Sequence, residues 1–234
     1  MPNPLLPPDY DSIERELWKK AHGGVLTEVK NKAPRLMKRI ATFIDRFDFD
    51  ESEVIQKIEC DAMFAAHFAK EPRRTTLHEN IAAVWLQELD DVHNFQKLPA
   101  SGRSAIGITS DGNIVKFDRQ KVPGKSLDFQ WTTGNITCYA MHKYTKEEGG
   151  NQDSQYTEML NLMKRFHQCT DENVVLIVIV DGAYYTDNGE KKLKELQHQQ
   201  RTNSPLSYAT PIGGVPDILK QLNANSIPPA RSTL

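Results

Sequence analysis

Apolar residues recur at helical spacing through the first third of the chain, then change to strict alternation and short unbroken runs. Ile13, Leu17 and Trp18 open an amphipathic helical pattern, which the Gly23-Gly24 pair is expected to break. The pattern resumes at Leu36, Ile40, Phe43, Ile44 and Phe47, and again over residues 54–68. A further helix is predicted over 78–89, with Ile81, Trp85 and Leu89 as its apolar stripe, Thr75 or Thr76 as its cap and Glu79 in its first turn. Strands follow at 105–109 and 114–117 around Asp111-Gly112, and at 126–131 and 136–145 around Thr132-Thr133-Gly134-Asn135. Gly149-Gly150 then opens a polar helix with Asn151 as its cap. An aliphatic strand at 174–180, a charged helix near 190–200, a last segment at 207–222 and a loose tail complete the chain. This order predicts an α/β (α+β) fold: a central mixed β-sheet flanked by helices, with a mainly helical N-terminal region. Residues 1–75 form that region, 76–222 the core and 223–234 the tail.

Strand parity places the chemistry. Leu127, Phe129 and Trp131 share one face of their strand, so Ser126, Asp128 and Gln130 point away from the core-like side. Lys143 shares parity with Thr137, Tyr139, Met141 and Thr145, and the intervening turn makes the two strands antiparallel neighbours. Asp128 and Lys143 therefore meet if register and faces agree. A carboxylate beside an ammonium suits phosphodiester hydrolysis, where a hard cation activates water and a point charge stabilises the developing negative charge. Asp is depleted in strands, which marks Asp128. The alternatives are a solvent-facing strand aspartate and an edge-guarding lysine. His142 shares parity with Ile136, Cys138 and Ala140 and reads as a hydrogen-bonded interior histidine. Lys191, Lys192 and Lys194 read as a solvated helix face, with phosphate contact as the other option.

Asp128 on one hairpin strand, His142-Lys143 on the next, the helix opened by Gly149-Gly150-Asn151-Gln152-Asp153-Ser154-Gln155, and Val180-Asp181-Gly182 together resemble the PD-(D/E)XK nuclease superfamily, in particular type II restriction endonucleases. The resemblance covers roughly residues 77–186. It implies a restriction-endonuclease-like core running helix, three strands, helix, strand, and a Mg²⁺-dependent endonuclease that cuts double-stranded DNA as a homodimer. It also implies roles for individual residues: Asp128 as metal ligand, Lys143 against the scissile phosphate, and Glu79 as an assisting glutamate. The acid expected two residues before the lysine is replaced by Met141, and a thioether is a poor ligand for a hard cation. The substitute is sought on the following helix, among Glu147, Glu148, Asp153 and Glu158, with Asp153 first, then the amides of Gln152 and Gln155, then Glu148. A DNA repair or recombination nuclease of the same fold, and a DNA-binding protein without catalysis, are the competing readings.

Composition changes this picture only at the margins. The 234 residues carry a net charge of −2 with a pI near 6.4, so any DNA-binding surface must be locally basic. Lys38 and Arg39 lie in a basic stretch with Lys30, Lys32 and Arg35. Arg73, Arg74, Ser101, Arg103 and Lys146 are the other candidate DNA contacts. Three cysteines without paired or metal-ligand spacing point to a reduced, cytoplasmic protein. The start has no basic-then-apolar leader pattern, and the longest apolar run is too short to cross a bilayer.

Overall fold

The computed structural model describes residues 5–69, 74–117, 122, 124–146, 150–186 and 190–226. The chain divides into two compact units, residues 9–77 and residues 1–8 with 78–234. No described helix is long and apolar enough to cross a membrane.

The first unit is helical. α1 (Tyr10–Lys30) starts where the Asp9 side chain accepts the Ser12 backbone N–H at 3.0 Å. It runs straight through Gly23 and Gly24, contrary to the expected break. Helix interiors tolerate glycine at about 1 kcal/mol each, and the flanking periodic residues outweigh that cost. α2 (Pro34–Phe47) has proline in its first turn and ends at Asp48, whose φ of 55° is left-handed. α3 (Glu51–Cys60) is capped by Asp50, and Asp61 both ends α3 and caps α4 (Ala62–His67). Val25, Val29, Leu36, Ile40, Val54, Ile58 and Phe68 pack as the core of this unit.

α5 (Arg74–Gln87) begins a turn earlier than its pattern suggests, so Thr75 and Thr76 lie inside the helix instead of capping it. Glu79 consequently falls beyond the first turn, where the helix dipole offers a carboxylate little.

The second unit is built on a five-stranded mixed sheet. Its strands are β1 (His93–Lys97), β4 (Phe129–Thr133), β5 (Ile136–Tyr144), β6 (Val174–Asp181) and β7 (Ser207–Thr210), in that spatial order. β1, β4 and β5 pair antiparallel, whereas β5, β6 and β7 pair parallel. β2 (Ile106–Ile108) and β3 (Ile114–Lys116) form the expected hairpin, but as a separate two-stranded sheet. One outer strand of the main sheet is β1, for which the hydrophobic pattern gives no sign: His93-Asn94-Phe95-Gln96-Lys97 has one apolar residue, a φ of 52° at Asn94 and an irregular register against β4. An edge strand can be this polar because only one flank pairs.

Parallel β6 is buried along its whole length, as a strand covered on both faces must be. On one face Met141, Leu176, Val178 and Val180 pack with Met159, Leu162, Met163 and Phe166 of α6 (Gly150–Phe166). On the other, Phe129, Trp131, Ala140, Val175, Ile177 and Ile179 are fully or almost fully buried. α7 (Ala183–Thr186), α8 (Glu190–His198) and α9 (Val215–Ser226) complete the unit. The chain is thus a mixed α/β protein with a central mixed sheet, flanking helices and a helical N-terminal region.

Candidate active site

Asp128 stands one residue ahead of β4, with its main chain tied on both sides. Its N–H donates to the Ala140 carbonyl and its own carbonyl accepts the Leu98 N–H, both at 2.8 Å. The β4–β5 register pairs Phe129 with Ala140 and Gln130 with Tyr139, which sets Asp128 across from Met141. Lys143, two residues further on β5, therefore shares Asp128's face. The Lys143 Nζ lies 4.0 Å from Asp128 Oδ2. The condition left open by parity, agreement of register and face, is met.

The carboxylate does not face solvent as the alternation of its strand suggests. α6 covers that side of the sheet as well, and Asp128 is only 7 % exposed. Its Oδ2 accepts the His142 backbone N–H at 2.8 Å. Burial pushes its carboxyl above the ordinary value of 3.8; the Lys143 ammonium and the His142 N–H pull it back, and the negative charge of Glu79 pushes it further up. Glu79 of α5 is thus an electrostatic neighbour of Asp128. Its Oε2 lies 3.5 Å from the Nζ of Lys97, which also donates to Asn80 Oδ1 at 2.6 Å. Lys97 escaped the sequence reading because it sits on the unrecognised β1, and its neighbours on α5 are seventeen and eighteen residues distant.

The end of β5 is held from beneath. His142 is 2 % exposed, and its Nε2 lies 3.3 Å from Asp181 Oδ2 on β6. Asp181 Oδ1 accepts the Ile212 N–H at 2.9 Å. The Thr145 N–H donates to the Asp181 carbonyl and the Thr145 carbonyl accepts from Tyr184. Gly182, at a φ of +93°, fits here because a Cβ would overlap the Thr145 carbonyl.

The remaining sequence candidates scatter. Met141, at the acid's position, is 1 % exposed inside the apolar cluster under α6, so the space a carboxylate would need is filled with hydrocarbon. Asp153 does not join the pair. Its exposed Oδ1 accepts from Tyr184 Oη and Lys192 Nζ, each at 2.8 Å, and these hydrogen bonds, Lys192's first, hold it below the usual carboxylate range. Lys192, expected on a solvated face, is drawn into that cluster, where it also touches the Tyr184 hydroxyl. Glu158 pairs with Lys125 at 2.9 Å. Gln155 is half-buried on α6. Gln152 contributes its backbone to α6, but its side chain, together with Glu147, Glu148 and Arg73, lies outside the described residues, as does the side chain of Arg74.

Of the candidate DNA contacts, Ser101, Arg103 and Lys38 are exposed. Lys146 is exposed too, its Nζ 5.9 Å from the Tyr144 ring at the end of β5. Arg39 is otherwise engaged: its guanidinium donates to the Phe68 carbonyl at 2.6 Å and to those of His67 and Ala69 at 3.4 Å, closing the open end of α4.

Among the described residues no three His, Cys, Asp or Glu side chains converge on one metal position. Asp128 supplies one carboxylate, and Glu79, whose charge acts on it, is the candidate for a second. That set fits Mg²⁺, which is commonly held by one or two carboxylates and keeps waters for its other positions. A cation beside Asp128 would offset both the burial and the charge of Glu79 that raise its carboxyl. Comparison with known proteins adds no assignment: no protein-family model matches the chain, and neither does any curated protein.

Proposed function

We propose that the chain is a Mg²⁺-dependent endonuclease of double-stranded DNA, of restriction type and PD-(D/E)XK organisation. The observation that carries this reading is the convergence of Asp128 and Lys143 on one face of the β4–β5 hairpin. With the β2–β3 hairpin set aside as a separate sheet, the order α5, β1, β4, β5, α6, β6 supports it, since it repeats the helix, three strands, helix, strand run of that superfamily with Asp128 just ahead of the second strand and Lys143 on the third.

Asp128 and Glu79 would hold the cation, which when bound lowers the pKa of an attacking water and neutralises phosphate oxygens. Lys143, drawn to 4.0 Å from Asp128, offers its ammonium to the scissile phosphate and stabilises charge there as the bond to the leaving oxygen breaks. The His142 N–H fixes the Asp128 carboxylate, so the site is preorganised before substrate arrives. Loops outside this core, including that of Ser101 and Arg103, would supply backbone and base contacts. A homodimer reading a two-fold site is part of the proposal.

Incubation of supercoiled plasmid with the protein in Mg²⁺ and in EDTA tests it. Discrete fragments in Mg²⁺ alone are expected. Cutting restricted to flaps, ends or junctions would transfer the reading to repair nucleases, and binding without cutting would reduce it to a DNA-binding protein.

A further inference from the structure

Tyr184 spans the connection from β5 to α6. Its N–H donates to the carbonyl of Thr145, the residue just past β5, at 3.2 Å, and its hydroxyl donates to Asp153 Oδ1, in the first turn of α6, at 2.8 Å. Lys192 of α8 closes a triangle. Its Nζ donates to the same Asp153 oxygen at 2.8 Å and to the Tyr184 hydroxyl, and it lies 3.9 Å from the centre of the Tyr184 ring. One side chain therefore holds both the exit of β5 and the entry of α6. The Thr145 N–H is taken in turn by the Asp181 carbonyl at 2.9 Å, so both main-chain groups of Thr145 are fixed. Lys143 stands two residues before it.

Anchoring α7 and α8 does not need this triangle, because Tyr184, Tyr185 and Leu196 are already buried in the apolar cluster with Met159, Leu162 and Phe166 of α6. Apolar burial is non-directional. Hydrogen bonds to charged groups are directional, and these fix where the end of β5 lies relative to α6. We infer that Tyr184 is a positioning residue for the end of β5, locked by Lys192, and that this staple keeps the Lys143 ammonium on the Asp128 carboxylate. The inference rests on the reading of that pair as the nuclease site, where Lys143 is the ammonium offered to phosphate. The competing account is a triangle that adds only overall stability.

Residue-resolved amide hydrogen exchange of the full chain, followed by NMR, separates the two. The informative amides are those of Tyr184, Thr145 and His142, the last of which binds Asp128 Oδ2, with Val178 in the fully buried middle of β6 as reference. Tyr184→Phe keeps the ring and main chain and loses only the hydroxyl. It should speed exchange about tenfold at Tyr184, Thr145 and His142 and leave Val178 unchanged, the pattern of a local opening. Lys192→Ala should do the same, and Asp153→Asn, which keeps an acceptor for the hydroxyl, should do less. In plasmid cutting, Tyr184→Phe and Lys192→Ala should lower kcat with KM near that of the wild type. Unchanged exchange, an equal rise at Val178, or a rise that stops short of His142 would overturn the inference. The expected exchange pattern in a chain that cuts no plasmid would take down the nuclease reading and leave the staple standing.

Discussion

Replacing Lys143 with methionine removes the ammonium 4.0 Å from the Asp128 carboxylate while keeping most of the hydrocarbon stem. At that distance two unit charges interact by about 4 kcal/mol at an effective dielectric constant of about 20. The side chains are 16 % and 8 % exposed, so desolvation of both charges offsets part of this, and the net coupling is about 1–3 kcal/mol. The sign with pH follows from Asp128. Its folded carboxyl titrates above the ordinary 3.8, so the folded state keeps a proton that the unfolded chain has lost, and stability falls as pH rises through that window. Without Lys143 the carboxyl rises further and the fall is deeper. Urea unfolding, followed by emission of the fully buried Trp131, should therefore show Lys143→Met destabilised near neutral pH and nearly unchanged below pH 3.8. Asp128→Asn should remove the pH dependence of that penalty, and the double-mutant cycle should return the coupling. A penalty equal at both pH values, or a cycle that closes at zero, would refute the pairing.

Three other substitutions probe the frame around the pair. Gly182→Ala forces a side chain into a φ of +93° and against the Thr145 carbonyl, so a loss of at least about 2 kcal/mol is expected in urea unfolding, with plasmid cutting reduced as the end of β5 shifts. Met141→Leu should cost under about 1.5 kcal/mol and retain plasmid cutting, because Met141 is core and not a ligand; Met141→Ala should cost about 2–5 kcal/mol. Arg39→Ala should lower the melting temperature through loss of its bonds to the α4 carbonyls, about 1–2 kcal/mol, and leave duplex affinity in anisotropy unchanged.

Legibility followed periodicity. β5 and β6 stood out because a nine-residue strand and a seven-residue aliphatic run have no helical interpretation, and the β4–β5 turn then fixed which side chains oppose each other. Parity was enough to join Asp128 to Lys143, but not to bury them. The polar positions of β4 read as solvent-facing; Gln130 and Thr132 are in fact half-buried, and Asp128 just ahead of them is buried. β1 left no pattern because an edge strand with one apolar residue obeys no alternation, and Lys97 was lost with it. Asp153 was misleading for a different reason: its partner Lys192 is thirty-nine residues away, and no local rule reports that pairing. Gly23-Gly24 shows the opposite error, where local propensity gave way to the periodic residues on either side.

Mg²⁺-dependent cutting of plasmid by the wild type, Asp128→Ala and Lys143→Ala, measured beside duplex binding in Ca²⁺, tests the shared site most directly. Discrete fragments from the wild type, no cutting by either variant and retained binding by both are the expected results. Undiminished cutting by either variant would contradict the account.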